Sequence, residues 1–69
     1  MHIGQLIKEQ LELQGKTVVW LAEKLSCSRT NIYIIFDKAS IDTSLLMRIS
    51  IVLQYNFFRV YADEFKNMK

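Results

Sequence analysis

The stretch Leu21-Ala22-Glu23-Lys24-Leu25-Ser26-Cys27-Ser28-Arg29-Thr30-Asn31-Ile32-Tyr33 carries two helical phases with a break between them. Upstream of the break, Val18, Leu21, Ala22 and Leu25 recur at helical spacing, which is one apolar face of a short helix. Ser26-Cys27-Ser28 then interrupts the pattern. Serine side chains compete for nearby backbone donors, so Ser28 is suited to cap a new helix. That helix is expected to bury Ile32 and Ile35, with Phe36 beside them, and to turn Thr30, Ile34 and Asp37 away from the core.

Outward from this centre the same periodicity continues. Ile3, Leu6, Ile7 and Leu11 form the stripe of a first helix ending near Gly15, and Thr17 caps the second. Lys38-Ala39-Ser40 is a polar connector, after which Asp42 caps a fourth helix with Leu46, Ile49 and Leu53 on one face. Asn56 is placed to cap a fifth helix carrying Phe57, Phe58, Tyr61 and Phe65, with Lys66 and Lys69 at its favourable C-terminal end. The chain contains no proline, and its only glycines, Gly4 and Gly15, are expected to break it. No strand alternation of useful length is present, and there is no internal repeat. The fold class expected is all-α, with five helices in a single domain over residues 1–69.

Composition narrows the functional classes. With 51% hydrophobic and 12% aromatic residues and a net charge of +2, the 69-residue chain has the material for one core and is not disordered. The longest apolar runs, such as Ile51-Val52-Leu53, are far short of a membrane span, and the N-terminus lacks the features of a secretory signal. A single cysteine, Cys27, excludes an internal disulfide, and one Cys with one His cannot furnish a zinc site. The reading is a cytoplasmic protein with no metal, no cofactor, no membrane contact and no evident small-molecule ligand. A catalytic role is not expected, since no nucleotide, metal or nucleophile motif occurs and so short a chain offers little room for a pocket. Cys27 reads as a small core hydrophobe, and Trp20 as a packing residue against the first helix.

Two short helices joined by a tight link, with a small residue in the first and a branched apolar residue in the second, describe a helix-turn-helix over about residues 18–37. The apolar positions Leu21, Leu25, Cys27, Ile32 and Ile35 and the small residue Ala22 all meet that pattern. Here the sequence resembles the lambda-repressor-like, Cro-type (XRE) family of bacterial and phage DNA-binding domains. Leu21 through Thr30 match its core, Ser28 through Tyr33 are the most specific segment, and Leu46 through Leu53 resemble its fourth helix.

The resemblance implies a transcriptional regulator, a repressor, whose third helix enters the major groove of double-stranded DNA while the second crosses the backbone. It implies that Ser28, Arg29, Thr30, Tyr33, Ile34 and Asp37 face the bases, with Arg29 the main reader because a guanidinium bonds guanine O6 and N7 together. Lys16, Thr17, Asn31, Lys38 and Ser40, at helix ends and loops, are the expected phosphate contacts. Several positions depart from the family pattern. Ser26 stands where the turn usually has glycine, Val18 where a phosphate-binding glutamine is common, Ile34 where a polar or basic residue is usual, and Phe36 where an acid is frequent.

An excess of apolar residues near the C-terminus, namely Ile51, Phe57, Phe58, Tyr61, Phe65 and Met68, is expected to form a homodimer interface. Two-fold pairing would make the operator an inverted repeat. The alternative is a helix-turn-helix module repurposed for protein–protein interaction, or an antitoxin-like component of a toxin–antitoxin pair. The modest basicity, with a pI of about 8.9, and Ile34 both fit that alternative.

Overall fold

The computed structural model describes residues 1–68; Lys69, expected at the end of the fifth helix, lies outside the described residues. Five helices follow one another: α1 (Ile3–Leu13), α2 (Val18–Lys24), α3 (Arg29–Phe36), α4 (Thr43–Leu53) and α5 (Phe58–Asn67). The all-α expectation with five helices holds, and among the described residues there is no strand.

Local chemistry explains most boundaries. Thr17 Oγ1 accepts from the Trp20 N–H at 3.0 Å, Ser28 Oγ from Asn31 at 3.2 Å and Asp42 Oδ1 from Leu45 at 2.8 Å, so each residue satisfies an otherwise orphaned donor. His2 does the same for α1, its Nδ1 accepting from the Gln5 N–H at 3.1 Å. At the other end of α1, Gly15 takes the left-handed conformation at φ 68°. Its N–H donates to the Glu12 carbonyl and that of Lys16 to the Leu11 carbonyl, the paired bonds of a Schellman stop. The same pair of bonds ends α2 around Ser26 and α4 around Gln54, at φ 55° and 51°.

Gly4 departs from expectation. It does not break the chain but lies buried inside α1, where the start of α1 abuts the end of α3. The N–H groups of Ile3 and Gly4 donate to the carbonyls of Ala39 and Lys38 at 3.0 and 2.9 Å. A Cβ on Gly4 would lie 2.3 Å from the Ile35 carbonyl oxygen and 2.4 Å from that of Phe36, so only glycine permits this approach.

The core draws on every helix from α1 to α4: Ile3, Ile7 and Leu11; Leu21 and Ala22; Ile32, Ile35 and Phe36; Leu46, Ile49 and Leu53. Phe57, just before α5, completes it with no exposed surface. Two side-chain bonds tie α4 to the ends of other helices. Arg48 Nη2 donates to the Leu25 carbonyl at the end of α2, and Gln14 Nε2, just after α1, donates to the Leu53 carbonyl, both at 2.8 Å. By contrast α5 buries none of its residues, and the molecule extends 39 Å along its long axis against 20 and 18 Å across. No helix among the described residues is long and apolar enough to cross a membrane.

Candidate nucleic-acid interface

Four residues, Leu25 to Ser28, join α2 to α3, and the two helices pack against each other. Ser26, where the resemblance leads one to expect glycine, adopts the left-handed conformation itself. For a residue with a Cβ that conformation costs ~1–2 kcal/mol. It is held by two bonds, from the Ser26 N–H to the Glu23 carbonyl at 3.2 Å and from the Cys27 N–H to the Ala22 carbonyl at 2.9 Å. Cys27 is half-buried against the core, which agrees with its reading as a small hydrophobe.

With Ile32, Ile35 and Phe36 buried, the outward side of α3 is set by helical geometry. Thr30, Ile34 and Asp37 lie along its middle; Arg29 and Tyr33 occupy one flank, and Asn31 and Lys38 the other. All seven are exposed, Ile34 at 47% and Tyr33 at 56%, so the expected base-facing residues share one open surface. The Tyr33 ring meets the edge of the buried Phe36 ring at 6.2 Å and 85°, which limits where its hydroxyl can reach. Each cap bond uses one lone pair of the Ser28 or Thr17 hydroxyl oxygen and leaves the hydroxyl proton free to donate outward.

The expected phosphate contacts are all exposed. Asn31, Lys38 and Ser40 are exposed on α3 and the loop after it, and Lys16 and Thr17 at the start of α2. Lys16 is not an isolated cation: its Nζ sits 5.0 Å from the centre of the Trp20 ring, and Lys24 Nζ approaches the same ring at 5.8 Å. Trp20 itself is half-buried against the core and lines a groove with Gln14, Lys16, Val52, Leu53 and Gln54, at the ends of α1 and α4. The spacing Lys16, Trp20, Lys24 at four-residue steps was the available signal for this stack.

Arg48 carried no functional expectation, yet it lines the groove beside α3 together with Asn31, Ile34 and Lys38. Its signal was a lone cation in the apolar run Leu45-Leu46-Met47-Arg48-Ile49.

The residues expected at a dimer interface divide. Ile51 is 67% exposed, Phe65 70% and Met68 80%; Tyr61 is also exposed and Phe58 is half-buried. Met47, one turn before Ile51, extends the exposed apolar surface. Phe57 is a correction, because it is fully buried in the core and unavailable to a partner. Helix α4 ends at left-handed Gln54, and Phe57 precedes α5 instead of lying within it; its ring is buried, 4.8 Å from that of Tyr55. Asn56 correspondingly stands one residue before the helix cap, its Oδ1 accepting from the Phe58 N–H at 3.0 Å.

Among the described residues no group of three His, Cys, Asp or Glu side chains is placed to hold a metal. Compared with family models, curated proteins and solved structures, the chain has no match.

Proposed function

We propose that this protein is a sequence-specific DNA-binding transcriptional regulator, a repressor of the lambda-repressor-like, Cro-type (XRE) kind. In this reading α2 and α3 are its helix-turn-helix, α3 enters the major groove, and a homodimer occupies an inverted-repeat operator. The observation that carries it is the outward side of α3, where Arg29, Thr30, Tyr33, Ile34 and Asp37 are exposed together on a helix whose other side is locked into the core. Arg29 has the fork geometry for guanine, Asp37 can accept from cytosine N4, and Thr30 and Tyr33 carry hydroxyl donors. Lys38, just after α3, and Lys16, just before α2, are both exposed and in this reading supply charge to the backbone.

The test is a pair of substitutions measured on the operator and on random duplex. Arg29→Ala is expected to cost ~1–3 kcal/mol on the operator and to relax preference at one base pair. Lys38→Ala is expected to weaken both duplexes alike. Equal losses on both DNAs from both variants would defeat the assignment of roles.

One observation favours a second reading, a protein-binding or antitoxin-like module. Ile34 places an apolar side chain, 47% exposed, on the outward side of α3. Retention on random duplex separates the two: binding that weakens steeply with salt belongs to the DNA reading, and flat retention to the protein-binding one.

A further inference from the structure

Between α3 and α4 runs an open groove of about 290 Å³. Asn31, Ile34 and Lys38 stand at i, i+3 and i+7 along one flank of α3, and Leu45 and Arg48 of α4 form the facing wall. Its lining thus carries two cations and an amide, and none of the lining residues is acidic. Arg48 is already oriented there, because one of its terminal nitrogens donates to the Leu25 carbonyl at 2.8 Å. A guanidinium has five N–H donors in a planar fork, so this single bond anchors one end of the group and leaves donors for a second acceptor.

We propose that this groove is a seat for one backbone phosphate of duplex DNA, held by Arg48 and Lys38 with Asn31. The inference rests on the DNA-binding reading and extends it to α4, an element that reading leaves without a contact. Charge complementarity selects a phosphate, and the apolar side chains of Ile34 and Leu45 beside the cations suit the deoxyribose that accompanies it, which a free anion lacks. Because Arg48 also holds the last carbonyl of the α2 cap, the bound phosphate and the turn between α2 and α3 share one side chain. The seat thereby sets how deeply α3 enters the groove.

The experiment measures affinity for a random 20-base-pair duplex across a range of salt for the full chain and two variants. Neutralising one phosphate contributes about 0.9 to the slope of log affinity against log salt. Arg48→Met is therefore expected to flatten the slope by about that amount, and Arg48→Lys, which keeps the charge, to restore it. A purely structural Arg48 would lower affinity or thermal stability without changing the slope, and that result overturns the seat.

A second measurement needs no variant. The Arg48 Nε–Hε resonance of the wild-type protein should shift on adding duplex and stay still with inorganic phosphate at matched ionic strength. No shift with duplex, or saturation by inorganic phosphate alone, overturns the proposal whether or not the variants fold. Wild-type protein that binds duplex in an Arg29-dependent way, with an Arg48→Met slope unchanged, sinks the seat alone. Wild-type protein without salt-dependent affinity for any duplex sinks both readings.

Discussion

Gly4 is the residue on which the join between the start of α1 and the end of α3 depends. It lets the first turn of α1 donate directly into the carbonyls after α3, and a methyl group in its place would meet backbone oxygen atoms at 2.3 and 2.4 Å. Backbone cannot swing aside as a flexible side chain can, so Gly4→Ala is expected to destabilise the protein by about 3 kcal/mol or more. A denaturant titration measures it, and a loss below about 1 kcal/mol would show that the ends of α1 and α3 can separate without cost. The sequence marks Gly4 only as a conformationally free residue, and its close contact is with residues more than thirty positions away. Ser26 is the opposite case. Its left-handed turn was legible only through the resemblance, which puts a glycine at this position of the turn.

Helix caps form within a span of a few residues, which is why Thr17, Ser28 and Asp42 could each be assigned from sequence and are found bonded as expected. The outward side of α3 follows equally from its own period once Ile32 and Ile35 are taken as buried. Ile34 is the informative position on that element, being apolar, exposed and next to Lys38 in the groove against α4. If this side faces DNA, Ile34→Lys adds a cation near the backbone and is expected to raise non-specific affinity and to steepen the salt slope by about one unit. The measurement is duplex affinity over a salt series, and an unchanged slope would put position 34 away from DNA. What the element's own period could not supply was the wall opposite, because the placement of Arg48 beside α3 depends on how α4 crosses behind the turn.

For the molecule as a whole, α5 is the unresolved demand. It buries no residue of its own, while Ile51, Phe65 and Met68 present apolar surface that water does not favour. In the proposed homodimer, binding an inverted repeat requires two copies of α3 roughly 34 Å apart, one turn of the duplex. The expected outcome is a dimeric mass at micromolar concentration and a thermal midpoint that falls over a hundredfold dilution. Phe57→Ala should cost ~3–5 kcal/mol at every concentration, because it empties a site in the core. Phe65→Ala should act only on the concentration-dependent part, since its ring is 70% exposed in one copy. A monomer with a midpoint indifferent to dilution would remove the dimer from the proposal.

The adjacent pair Phe57-Phe58 shows where sequence and tertiary structure part. Five helices, four of their N-terminal or C-terminal stops and the inward side of α3 were all determined by the sequence itself, because each depends on periodicity or on hydrogen bonds spanning a few residues. Which of two neighbouring phenylalanines enters the core was decided only by the packing after α4 ends at left-handed Gln54, where Phe57 joins the core cluster and Phe58 stays half-buried. The same holds for the contact of Gly4 with α3, the groove that Trp20 lines at the ends of α1 and α4 and the groove shared by Lys38 and Arg48. The physical reason is range: a cap or a stripe is a property of one segment, whereas each of these contacts requires the angle between segments, and that angle is set by how the whole core packs.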